Sequence, residues 1–290
     1  MGDFLAEIAG RVIWAIPVGI VLWVVARRLS TVVPLPGLAS AASTGPTRPA
    51  WQRAVGLVAA AVLVWALAVG FGWLITRVLG PLRDLDVAII EWFGAHRTDA
   101  ATAVAIAIDY VGDTPGIVAA LLITAPIAHA LTRRWTPAFV LVLAAAGETA
   151  IFLVVQSVIS RARPDIEHLA VEPATSSFFS GHVAATFATY ACLALLVISW
   201  GRSPVRFAAI SVAIVLPLAV AWSRMYQGMH FPSDVLVSLI VAPLWLSTCW
   251  WALRPGPRGE SVRFGTRTRA EEHPAPPRHA RAAHPERQRS

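Results

Sequence analysis

Three short polar stretches hold the residues best suited to chemistry. They are Arg161-Ala162-Arg163-Pro164, Ser180-Gly181-His182, and Ser223-Arg224 followed by His230 and Asp234. Arginine grips phosphate oxygens bidentately and stays charged at any working pH. A carboxylate that fixes one imidazole nitrogen leaves the other aimed and basic, as a nucleophilic or general-base histidine requires. In the last stretch Pro232 suits a helix start, since no amide donor is needed there. Asp234 then falls in the first turn, where the helix dipole favours its charge. The chain around Gly228 is free to turn, so His230 is expected to fold back onto Asp234. Ser180 is a good N-cap, and Gly181 lets the backbone approach a ligand. The first-turn amides behind them face an anion site, with His182 at the rim to protonate a leaving oxygen. Taken singly, each stretch has a plainer reading: a polar cap, an ordinary helix start, a pair of interfacial arginines. Together they point to a phosphate-handling site.

The elements that position these stretches are apolar. The chain has 290 residues, 56% hydrophobic and 14% charged. A soluble domain is nearer a quarter charged, so the composition is that of a membrane protein. Six runs approach the length of about 20 apolar residues that crosses the hydrocarbon core. They are Ala54–Thr76, Thr114–Thr132, Trp135–Ser160 (broken only by Glu148), Val183–Gly201, Phe207–Ser223 and Val235–Leu253. A seventh, Val12–Ala26, is short, but Arg11 and Arg27 can snorkel from its ends. A cleaved signal peptide is the competing reading, with Ala39-Ser40-Ala41 as its site. Asp3 and Glu7 before the run, and Arg27 and Arg28 after it, favour an uncleaved helix. The expected fold is all-α: a polytopic membrane helix bundle of six core transmembrane helices plus one extra N-terminal transmembrane helix.

All 24 basic residues are arginine. Arg27, Arg28, Arg48, Arg53, Arg133, Arg134, Arg202, Arg206 and the tail arginines fall on one face, which the positive-inside rule makes cytoplasmic. All three polar stretches then lie on the other face. Residues 1–29 are the extra segment, 30–50 a cytoplasmic linker with four prolines, and 51–253 the six-helix catalytic domain. Residues 254–290, rich in Pro, Arg and His, form a disordered basic cytoplasmic tail. In Leu82–Asp113, Leu85, Ala88, Ile89, Trp92 and Phe93 make an apolar stripe, with Asp84, Asp86 and Glu91 off it. This is an amphipathic helix lying at the outer interface or packed on the bundle. Ala100–Ile108 is too short to span and is expected to be the outer part of the next helix. Cys192 and Cys249 lie in apolar runs and read as small buried hydrophobes, with no disulfide framework and no metal spacing.

In order and spacing the three stretches resemble the signature motifs of the type 2 phosphatidic acid phosphatase superfamily: Lys-x6-Arg-Pro, Pro-Ser-Gly-His and Ser-Arg-x5-His-x3-Asp. Ser223, Arg224, His230 and Asp234 match the third completely. Ser180, Gly181 and His182 match the second, with Phe179 in place of proline. Arg163 and Pro164 match the first, but Gln156 stands where lysine is usual. The resemblance covers about residues 51 to 253. It implies a metal-independent, cofactor-free, two-step phosphoryl transfer. His230 would be the nucleophile, Asp234 its orienting carboxylate and His182 the general acid and base. Arg163, Arg224, Ser180 and Gly181 would hold the phosphate. Gln156 can donate a hydrogen bond but no charge, and Arg161 is placed to compensate. Glu148, about two turns deeper, is expected to pair with Gln156 or an arginine.

The resulting expectation is a cell-membrane, multi-pass phosphatase acting on a lipid phosphate or polyprenyl diphosphate at the extracytoplasmic face. The partners are that lipid and the bilayer, without nucleic acid; no oligomeric state follows. A phosphotransferase using the same site is the variant in class. A catalytically weak relative that binds or moves phospholipid is the competing class, favoured by Gln156. A channel or transporter would call for broken helices or repeats, and neither is present.

Overall fold

The computed structural model describes residues 9–10, 12–32, 49–170, 175–200 and 203–253. The proposed linker and tail fall almost wholly outside them. Among the described residues there are nine helices and no strand: α1 (Ala15–Val32), α2 (Ala50–Arg77), α3 (Gly80–Ala95), α4 (Asp99–Gly112), α5 (Thr114–Thr132), α6 (Thr136–Val158), α7 (Gly181–Trp200), α8 (Ser203–Tyr226) and α9 (Pro232–Leu253). In hydrocarbon a lone segment satisfies its backbone only as a helix, so long apolar runs leave no alternative. Six helices (α2 and α5 to α9) are long and apolar enough to cross a membrane. The expected extra segment also forms a helix. It continues through Arg27 and Arg28 to Val32 and packs along α5. A Cβ placed on Gly19 would lie 2.6 Å from the Leu122 carbonyl oxygen, so α1 and α5 approach backbone to backbone.

Helix ends follow local chemistry. The Thr98 side chain caps α4 by accepting from the Ala101 amide at 3.2 Å. Asp113 ends α4 and caps α5, accepting from the Gly116 amide at 2.8 Å. That cap, with Pro115 at the new helix start, makes residues 99–112 a helix of their own. The expectation that 100–108 would be the outer part of α5 is corrected on this point.

Burial sorts the spans. In α7 and α9 50% of the apolar stretch is buried within the protein, against 11% in α2 and 17% in α8. The first two are therefore the inner helices. Lipid is as apolar as leucine, so these contacts rest on close packing more than on transfer from water. Small residues permit it: Ala144, Ala184 and Ala188 are fully buried. The Trp245 indole of α9 lies over Gly147 of α6 and donates Nε1–H to the Ala144 carbonyl at 2.9 Å. Cys192 and Cys249 are buried and free.

Helix α3 buries one of its acids. Leu85 and Trp92 are 54% and 56% exposed, and Ala88 is exposed as well. Asp86 and Ile90 are its buried residues. Leu85, Ala88 and Trp92 of the apolar stripe thus face away from the bundle, Phe93 packs edge-on against Tyr226 of α8, and one of the acids set off that stripe lies inside.

Candidate active site

The segment between α6 and α7 folds back on itself. The Ser177 amide donates to the Arg161 carbonyl at 2.9 Å, and the Ser177 hydroxyl to the Ala162 carbonyl at 3.0 Å. Phe178 fills the space over Gly72 of α2. This brings the first two polar stretches together at one end of the bundle.

The third stretch joins them through a turn with a specific backbone. Helix α8 ends at Tyr226, and Gly228 has φ +76°. The Gly228 amide donates to the Met225 carbonyl and the Met229 amide to the Arg224 carbonyl, both at 3.0 Å. This paired 5→2 and 6→1 pattern is a Schellman motif, which favours glycine in the left-handed position. Helix α9 then starts at Pro232, as its sequence predicts. The Asp234 carboxylate reaches back to the Phe231 amide at 2.9 Å, as in one half of a capping box.

His230 lies between these elements and is buried. Its Nδ1 is 2.7 Å from the Ser177 carbonyl oxygen. A carbonyl only accepts, so Nδ1 carries the proton and Nε2 keeps the lone pair. Asp234 was expected to make this contact. Its Oδ2 instead lies 3.9 Å from Nδ1, beyond hydrogen-bond distance. The carboxylate is taken up by the Phe231 amide and by Arg161, whose Nη1 donates to Oδ1 at 2.5 Å. Burial, followed by the positive charges of Arg224 and Arg163 and by His182, holds the His230 pKa well below the usual histidine range. The bond to Ser177 acts weakly the other way.

Arg161 also departs from expectation. Besides Asp234 it binds Asp86 through Nη2 at 2.7 Å and Ser233 Oγ through Nη1 at 2.8 Å. Its guanidinium stacks over the Phe231 ring, 4.2 Å from the centroid. A guanidinium shared between two buried carboxylates ties α3 to the start of α9. Arg163 reaches across to the Met229 carbonyl at 2.7 Å. Arg224 Nη1 donates to both oxygens of Asp109 at 3.0 and 2.9 Å, while its Nε is buried without a partner.

Ser180 does not use its hydroxyl as a cap. Its amide and carbonyl bind the Ser238 hydroxyl at 2.9 and 3.0 Å, and its Oγ is buried with no partner. Gly181 is bare for packing: an added Cβ would lie 3.1 Å from the Phe152 ring. His182 follows in the first turn of α7, half-buried, and its ring makes no hydrogen bond to a described residue. The Gln156 side-chain oxygen is buried without a partner, and so are both oxygens of Glu148. The expected bond from Glu148 to Gln156 or an arginine is absent, because nothing in the α6 interface extends a donor to it.

Residues 137–256 match the family model of the PAP2 superfamily. That stretch carries α6 to α9 and all three motifs. The fold is also that of a crystal structure titled as the first transmembrane PAP2 type phosphatidylglycerolphosphate phosphatase, from Bacillus subtilis. The match has a TM-score of 0.57 and 21% sequence identity, and covers 65% of this chain and 93% of that one. No curated protein sequence matches this chain. The PAP2 match over residues 137–256, the PAP2-type fold and the six long apolar helices together make this a multi-pass membrane protein with a PAP2-type fold.

Several residues of the site escaped the motif reading. Asp86 and Asp109 hold Arg161 and Arg224, yet both lie on helices ahead of the family-matched stretch. Ser177 contributes a backbone carbonyl, which no residue type announces. Ser238 is one turn beyond Asp234 and joins α9 to α7. A signal was present for Asp109 alone: a lone acid in an apolar helical stretch needs a cation nearby.

Proposed function

We infer that the protein is a membrane phosphatase for a lipid phosphate or polyprenyl diphosphate, working at the extracytoplasmic face through a phosphohistidine. The observation that carries this reading is the state of His230. A proton locked on Nδ1 by a carbonyl, in a buried and positive setting, leaves a neutral ring with a basic Nε2. Two unpartnered donors in the same motifs, Arg224 Nε and Ser180 Oγ, are what a phosphate oxygen requires.

In the first step His230 Nε2 forms an N–P bond as the P–O bond to the lipid alkoxide or phosphate breaks. His182 gives that leaving oxygen its proton. In the second step His182 takes a proton from water, the water oxygen bonds phosphorus, and the N–P bond breaks. Arg163, Arg224, Ser180 and the Gly181 amide hold the phosphate oxygens. Asp234 keeps α9 and the His230 turn in register through the Phe231 amide. Little covalent work falls to the protein beyond this, so placement and charge dominate. The placement of the site outside and the tail inside rests on the arginine distribution.

Gln156 favours a second reading, a weakly catalytic phospholipid binder, because the lysine charge is missing and its side-chain oxygen is buried without a partner. One experiment separates the two. Purified protein is given a panel of lipid phosphates and diphosphates in detergent with a chelator, and phosphate release is followed. Release from at least one lipid is expected. Binding of the same lipids without release would replace the phosphatase reading by the second one.

A further inference from the structure

We propose that Asp86 of α3 is a positioning residue for the phosphate site, acting through Arg161 and Ser233 on the start of α9. The proposal rests on the phosphatase reading above. Asp86 is 1% exposed. Its Oδ1 accepts from the Ser233 amide at 2.9 Å, and its Oδ2 from the Ser233 hydroxyl at 2.5 Å and Arg161 Nη2 at 2.7 Å. Ser233 is the second residue of α9, so its amide has no partner within the helix. Asp86 supplies that partner from another helix. Through the same carboxylate it holds the guanidinium that binds Asp234. The segment fixed in this way begins three residues after His230.

Stability alone does not call for an acid here. Two carboxylates sharing one guanidinium away from water make a costly cluster, and well-packed apolar groups often replace such clusters without loss. Ile90, one turn later on the same inward face and 1% exposed, shows what simple packing looks like in α3. The outer side of α3, with Leu85, Val87 and Trp92, is exposed, while Arg83 ties the helix to the Ile75 and Thr76 carbonyls of α2 and Phe93 packs edge-on against Tyr226 of α8. Asp86 therefore links a peripheral helix directly to the residues around the nucleophile. A shift of reacting groups by about 1 Å costs on the order of a hundredfold in rate. Loss of this link is thus felt in turnover more than in binding.

The test compares Asp86→Asn, Asp86→Glu, Arg161→Gln and the double variant Asp86→Asn/Arg161→Gln with wild type. Asp84→Asn is the control, since Asp84 is exposed on the same helix. In Asp86→Asn kcat should fall by about tenfold to a hundredfold with KM little changed. Asp86→Glu should recover part of the loss, and it carries the test if the Asn variant fails to fold. The double variant should be no slower than the slower single one, because both changes act on Asp234 by one route. Asp84→Asn should match wild type. An active wild type with unchanged kcat in Asp86→Asn, or a double variant whose loss is the product of the singles, overturns the positioning role alone. A wild type that turns over no lipid phosphate overturns the phosphatase reading and takes this role with it.

Discussion

His230 lies in the turn between α8 and α9, where Gly228, the Ser177 carbonyl and the cap of α9 all restrain it. His182 opens α7, where its backbone carbonyl accepts from Thr186 Oγ1 at 2.7 Å and its ring binds no described residue. The charges of Arg224 and Arg163, and His182, all bear on the His230 ring. The contrast in restraint matches two different tasks. A nucleophile must present one nitrogen along one line, so its other nitrogen is tied down. A group that passes protons to a leaving oxygen and then to water gains from a ring left open to both. In the proposed mechanism the more restrained ring is the one that attacks.

The comparison breaks first on substitution of the two rings. His230→Ala should form no phosphoenzyme and lose on the order of 10⁴-fold or more in kcat, as when a nucleophile is removed elsewhere. His182→Ala should lose roughly 10²- to 10⁴-fold with a poor leaving group and far less with a good one. Rapid-quench trapping of labelled phosphoenzyme and a series of aryl phosphates measure both. Trapped phosphoenzyme in His230→Ala, or equal losses across the leaving-group series in His182→Ala, would reverse or erase the assignment.

A smaller effect sharpens the electrostatic side. Because the His230 pKa is depressed, the neutral and reactive ring persists as pH falls below the ordinary histidine value of about 6.5. The acid limb of kcat/KM should lie below that value. Arg224→Gln removes one of the charges that hold the pKa down, so the limb should move to higher pH by about one unit, whatever happens to the rate. A limb that stays in place would mean that Arg224 does not act on the titrating group.

The smallest effect concerns the turn itself. Gly228→Ala asks an ordinary residue to adopt φ +76°, at a cost of roughly 1–2 kcal/mol. The added Cβ also comes 2.9 Å from the Ile166 side chain. The variant should melt at a lower temperature and turn over more slowly. Adding Ile166→Ala should relieve the contact and leave the backbone cost. A Gly228→Ala protein as stable and active as wild type would show that the turn does not restrain His230.

The sequence by itself determined the spans, because only a helix satisfies its own backbone in hydrocarbon and about 20 apolar residues are needed to cross it. It also marked the groups proposed to carry the chemistry, since histidine, arginine and carboxylate at motif spacing are readable as residue types. Gly228 and Pro232 marked the turn and the helix start through their own backbone limits. Partner choice was decided only by the tertiary structure. Asp234 and His230, four residues apart, read as a pair, yet the segment between α6 and α7 folded back and placed the Ser177 carbonyl against Nδ1 first. Arg161 read as a phosphate ligand until α3 brought Asp86 to it. Asp86 itself read only as an acid off an apolar stripe, because an amphipathic pattern tells apolar from polar without telling water from a buried cation. Hydrogen bonds are satisfied by whatever arrives within about 3 Å, and that is set by packing between distant helices.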